Sequence, residues 1–195
     1  SKGYFDYDDK VSTYWKEFGQ NGKENITIRQ LLNHQAGLST IKDLPIYKIS
    51  DFDTSKMIGE LEKKKPVWEP GSRHGYHCWT IGWLLSELIK RSYPHHRSLR
   101  DFFREEVAEP LEAEFYIGLP EHIDDSKVAN IKGISSVLDL FKNFSTFPKS
   151  LLFAFMNPKS LTSKSMVDSK NLLAHSNFNT REMRQIEFPS GNGIG

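Results

Sequence analysis

The sequence predicts a mainly α protein with a few short strands. Apolar residues recur at helical spacing in one segment after another, and most of those segments open on a residue able to cap a helix. Only Phe115-Tyr-Ile-Gly-Leu119 reads as a strand edge. Hydrophobic residues make up 37% of the 195, weighted toward 13 Phe, 7 Tyr and 4 Trp, so the core material is large rings rather than aliphatic runs.

Tyr4 to Asp9 alternates aromatic and acidic residues and is read as a loop. Val11, Tyr14, Trp15 and Phe18 then share one face of a short helix. Thr27-Ile-Arg-Gln30 fits a capping box, in which the threonine hydroxyl takes the N3 amide and Gln30 reaches back to the cap amide. A helix is expected from about Thr27 to Gln35, closed by Gly37 in the left-handed conformation. Asp53 or Thr54 caps a second helix with Met57, Ile58 and Leu61 on one side. Lys63 to Lys65 suit its C-terminal dipole as a solvated terminus, and Pro66 stops it.

Residues 67 to 73 are expected to form a loop. Trp79, Trp83, Leu84 and Leu88 mark a long helix from about His77 to Arg91, with Gly82 allowing a neighbour to approach closely. Ser98 with Asp101 opens a further helix through Phe102, Phe103 and Val107. Two or three more helices follow, one of them over Asn130 to Phe141, where Ile134, Val137, Leu138 and Phe141 are at helical spacing.

Charge and composition exclude several function classes. Charged residues nearly cancel at +1, leaving no overall field to draw in nucleic acid or an acidic membrane surface. No apolar stretch approaches the roughly 18 residues of a membrane span; Ser150 to Met156 is short and flanked by prolines. Cys78 is the lone cysteine and forms no intramolecular disulfide. Ser1-Lys-Gly3 runs straight into the aromatic and acidic stretch, with no signal-peptide core, so any targeting segment lies outside the chain and no compartment is assigned. No repeat, heptad series or linker tract divides the chain.

Two blocks carry chemistry. The first is Ile26-Thr-Ile-Arg-Gln-Leu-Leu-Asn-His-Gln-Ala-Gly-Leu38. The second is Trp68-Glu-Pro-Gly-Ser-Arg-His-Gly-Tyr-His-Cys-Trp-Thr-Ile-Gly-Trp-Leu-Leu-Ser-Glu-Leu-Ile89. Together with the looser Asp6 to Trp15 they resemble the serine β-lactamase and penicillin-binding-protein superfamily, in its class C β-lactamase, esterase and D-Ala-D-Ala-peptidase-like branch. Residues 3–132 match it well and residues 133–195 poorly, as one partial domain.

The resemblance implies the helical part of an α/β serine hydrolase that transfers or hydrolyses an ester or amide through an acyl-serine, without metal or organic cofactor. Its substrate would be a small-molecule or peptide ester or amide, with water as the second. Tyr76 matches the tyrosine that shuttles protons. The family's Tyr-x-Asn reads Tyr76-His77-Cys78 here, a departure that turns expectation away from β-lactams and leaves ester or amide hydrolysis, because a thiol is a poor substitute for an amide. His77 and Cys78 are candidates for the substrate cleft.

The nucleophilic Ser-x-x-Lys is expected outside the chain. The literal match Ser39-Thr-Ile-Lys42 follows the helix stop and runs toward Pro45, so the serine and lysine lack a common helical face. The family's Lys-Thr-Gly or His-x-Gly strand is also not found, although Ser190-Gly-Asn-Gly-Ile-Gly195 looks like the Asn-Gly segment that precedes it.

Other readings stand beside these. His34 fits a helix C-terminus, where histidine complements the dipole, better than a catalytic base. His74, His77, Cys78, His95 and His96 are too crowded for an ordinary zinc site. Cys78 could be a nucleophile if a helix N-terminus lowered its pKa, or a small buried filler. The stripe of Trp79, Trp83 and Tyr93 is read as core. The rival to an enzyme is a non-catalytic scaffold that retains the helical region.

Overall fold

The computed structural model describes residues 3–41, 43–132, 148–166, 173 and 176–195. The described residues are mostly helical: α1 is Val11–Tyr14, α2 Ile28–Leu32, α3 Thr54–Lys63, α4 Thr80–Ser92, α5 Leu99–Phe103, α6 Lys149–Met156, α7 Leu161–Met166 and α8 Arg181–Gln185. A 3-10 turn, Lys16–Phe18, extends α1, and a π turn, Arg104–Ala108, extends α5. The strands are β1, Tyr116–Ile117, and β2, Gly193–Ile194, paired antiparallel with Tyr116 opposite Ile194.

Local sequence explains the starts. Thr27 and Gln30 form the expected reciprocal capping box of α2, Asp53 accepts the Lys56 amide at the head of α3, and Ser98 accepts that of Asp101 at the head of α5. The predicted helix over Asn130 to Phe141 falls, from residue 133 on, outside the described residues.

Two expectations are corrected at helix ends. Gly37 does not close α2. The helix stops at Leu32, and His34 takes the left-handed position with φ 58°. The amide of His34 then donates to the Leu31 carbonyl (3.1 Å) and that of Gln35 to the Gln30 carbonyl (2.8 Å), the paired bonds of a Schellman closure. Gly37 is left-handed as well, with φ 74°, for a different reason. A Cβ there would lie 2.9 Å from both Pro66 Cβ and the Trp68 carbonyl, so the site admits no side chain.

At the end of α3, Lys63 and Lys65 are exposed as expected, but Lys64 departs from the solvated run. Lys64 is buried and ion-paired to Asp43. Lys23, wholly buried, donates from Nζ to the carbonyls of Gln20 (2.9 Å), Glu62 (2.9 Å) and Lys64 (2.7 Å), while Asn21 donates to that of Lys63 (2.9 Å). The loop after the first 3-10 turn therefore caps the C-terminus of α3 by satisfying carbonyls the helix leaves open.

The core sits between α1, α2, α3 and α4. Val11, Trp15, Phe18, Leu31, Met57, Leu61 and Leu84 are wholly buried in it. Phe188, from the far end of the chain, joins it by stacking on Trp83 (centroids 4.9 Å), Phe52 (5.3 Å) and Trp79 (5.7 Å). Trp83 and Tyr93 are buried and Trp79 packs on the same core, as expected for that stripe. Gly82 allows the close approach predicted from its position. A Cβ would lie 2.6 Å from the Ser190 amide nitrogen, and the Gly82 amide donates to Ser190 Oγ (2.7 Å).

Candidate active site

The two sequence blocks meet in space. The turn after α2 and the loop before α4 are laced by backbone bonds: Val67 to the Gly37 carbonyl (2.9 Å), Gly71 to that of Gln35 (3.0 Å) and Gly75 to that of His34 (3.0 Å). Thr80 Oγ1 closes the far end on the Leu38 carbonyl (2.8 Å). Trp68 fills the space between, packing edge-on to His77 at 5.9 Å and leaving no room for a Cβ on Gly75.

Tyr76 stands at the tip of this lattice. It lies in the loop four positions before α4, which begins at Thr80 and so three residues later than the start near His77 that its apolar pattern indicates. Its ring rests edge-on against His34, with centroids 5.2 Å apart. Tyr76 is 59% exposed. The cavity of about 160 Å³ beside Arg184 and Asn192, and a smaller one beside β1, do not include it.

His77, expected on a cleft wall, is instead buried completely. Its Nε2 accepts the Leu38 amide (2.9 Å), which places the proton on Nδ1, and Nδ1 donates to the Gly75 carbonyl (2.7 Å). Burial holds its pKa down at about 4, so the ring is neutral and structural at ordinary pH. The amide of His77 in turn donates to His34 Nδ1 (3.2 Å), so the two imidazoles are linked through the loop. Burial, with the charge of nearby His74, lowers the His34 pKa as well.

Cys78 is half-buried, and burial raises its thiol pKa, with the Tyr76 hydroxyl pulling weakly the other way. That direction is opposite to the lowering a thiolate nucleophile requires. Ser39 is in a loop, as expected, and buried, accepting from Ser165 Oγ (2.9 Å); Lys42 lies outside the described residues.

Sequence reasoning missed the double grip of His34 on the loop. Its signal was the histidine at the helix C-terminus, read there as a cap for carbonyls.

The profile of the Beta-lactamase family matches residues 1–141 of the chain. The chain belongs to this family. The beta-lactamase-family chain is 34% identical over 134 residues to the esterase/beta-lactamase LipL of Mycobacterium tuberculosis, which covers 67% of this chain and 29% of LipL. Among solved structures it is similar to a family VIII carboxylesterase, with 30% identity and a TM-score of 0.72 over 100% of this chain and 46% of that one. EstA from Arthrobacter nitroguajacolicus Rue61a matches at 28% identity and a TM-score of 0.74, over 99% of this chain and 47% of its own. A penicillin-binding-protein homologue from Caulobacter crescentus matches at 29% and 0.72, over 100% and 46%.

The chain thus spans less than half the length of these relatives and forms a mostly helical segment of the beta-lactamase-type serine hydrolase fold. It is related to esterases and hydrolases of that family. Among the described residues, no helix is long and apolar enough to cross a membrane.

Proposed function

We propose that the chain is the tyrosine-bearing part of a longer serine hydrolase that cleaves a carboxylic ester or amide through an acyl-serine. The observation that carries this is the exposed Tyr76 at the tip of a loop whose every neighbour is fixed: Gly75 and His77 by hydrogen bonds, Trp68 by packing. A solvent-facing hydroxyl on a rigid support is what a proton carrier requires, because the group must reach substrate without wandering.

The serine and lysine that activate one another are supplied by a Ser-x-x-Lys outside this chain. The serine attacks the carbonyl, and Tyr76 passes its proton to the leaving oxygen or nitrogen. Water then releases the acyl group. Cys78 occupies the position where the family has an asparagine, and a thiol is a poor substitute for that amide, which supports ester or amide hydrolysis rather than β-lactam hydrolysis. That same residue favours a second reading, a scaffold without catalysis, since a raised-pKa thiol contributes little to binding a polar carbonyl.

Hydrolysis of a p-nitrophenyl ester separates the two. The full-length protein should turn the ester over, this chain alone should not, and Tyr76→Phe should lower kcat of the full-length protein by about 10²–10⁴-fold with unchanged melting. An inactive full-length protein favours the scaffold, and a fully active Tyr76→Phe removes the assignment of the proton carrier.

A further inference from the structure

We infer that His34 is a positioning residue for Tyr76, holding the backbone on both sides of that tyrosine with two different atoms. Its carbonyl accepts the Gly75 amide (3.0 Å) and its imidazole Nδ1 accepts the His77 amide (3.2 Å). Its ring forms the surface on which the Tyr76 ring leans, at 5.2 Å and 75°. Tyr76 therefore has the peptide entering Gly75, its own following peptide and its ring face set by one residue. The inference rests on the reading of Tyr76 as the proton carrier, and it identifies what aims the hydroxyl.

The backbone of His34 makes the grip possible. A residue with φ 58° closes α2, and glycine is the usual occupant because it meets no Cβ penalty there. Glycine would close the helix but offer no ring acceptor. Histidine tolerates the left-handed region better than most side chains. The turn swings its imidazole toward the loop before α4, where Nδ1 meets the His77 amide. His77 secures the same loop from beneath by bonding Leu38 and Gly75, so the His34 contacts act on a support that is already fixed.

Nδ1 can accept only while it carries no proton. Protonating His34 turns that nitrogen into a donor facing another donor and opens the grip on His77. The titratable groups facing the ring are Tyr76 and His77, and His74 acts on it by charge. Burial, the larger cause of its lowered pKa, favours the neutral ring, so the grip is closed at neutral pH and loosens on acidification.

Two substitutions isolate the imidazole. His34→Gly keeps the left-handed closure and the backbone carbonyl and removes only the ring. His34→Asn is also suited to that conformation, and its Oδ1 hangs from Cγ as Nδ1 does, restoring an acceptor that does not titrate. In the full-length protein carrying 3-fluorotyrosine, the Tyr76 fluorine resonance is assigned by its loss in Tyr76→Phe. His34→Gly should shift and broaden that resonance and lower kcat by about 10–100-fold with KM little changed.

His34→Asn should return both toward the wild-type values and move the acid-side fall in rate to lower pH. A Tyr76 resonance unmoved in His34→Gly overturns the inference whatever happens to the rate, as does His34→Asn, folded by its melting curve, that leaves the resonance displaced. If the resonance moves as expected but Tyr76→Phe hydrolyses the ester normally, His34 still positions Tyr76 and it is the proton-carrier reading that fails.

Discussion

His77 is wholly buried between the two sequence blocks, and that burial sets how the fold responds to pH. Histidine beside the matched tyrosine suggested a cleft, yet both ring nitrogens are used internally and the side chain is wholly buried. Nothing in a local pattern reveals this, because its partners, Leu38 and Gly75, belong to different blocks. The burial has a pH signature. With a folded pKa of about 4 against the ordinary 6.5, the unfolded chain binds a proton at His77 between those values and the folded one does not. Stability is therefore full above about pH 6.5 and falls as pH drops toward 4, by on the order of 3 kcal/mol. His77→Gln should flatten much of that slope in thermal melts taken from pH 7 to 4.5 while lowering stability at pH 7 by about 1–3 kcal/mol. His34 shifts in the same direction and leaves a residual slope. An undiminished slope in the variant would show that His77 titrates normally.

At the scale of elements, the starts of α2, α3 and α5 were legible because a cap is a local arrangement of neighbouring side chains. Ends were less so. Gly37 was the obvious stop for α2, but the carbonyls it was expected to satisfy are already taken by the amides of His34 and Gln35. What Gly37 answers is a tertiary demand, the passage of Pro66 and Trp68 across its Cα, and no sequence window contains both partners. Gly37→Ala should accordingly destabilise by about 2–4 kcal/mol, combining the left-handed penalty with contacts near 2.9 Å that backbone cannot yield. Gly22→Ala, also left-handed but with open space around its Cα, should cost only the conformational share, about 1–2 kcal/mol. Equal losses in urea melts of the two variants would show that the Pro66 and Trp68 crossing is not what Gly37 serves.

For the whole molecule, the two motif blocks were legible as a pair, and their being laced together accounts for why both were recognisable. Each supplies the other's hydrogen-bond partners, so neither can drift alone. The reach of Phe188 and Ser190 back onto α4 was not, since the final third carries weak periodicity and contributes single residues rather than faces.

Lys23 ties the first part of the core to α3 with the whole of its ammonium group, and this has a chemical consequence. Its pKa is drawn down to about 8 by burial, because the ammonium form loses hydration inside the fold. In the folded chain that amine is sealed from solvent behind three carbonyls. Brief exposure to acetic anhydride followed by peptide mass analysis should leave Lys23 unmodified while exposed lysines such as Lys63 react. In graded urea, Lys23 should acetylate only as α3 separates from the loop that caps it, and Lys23→Met should bring that separation to lower urea, for a loss of about 2–4 kcal/mol. A lysine that nature has used as a helix cap thus doubles as a covalent clock for the opening of the core.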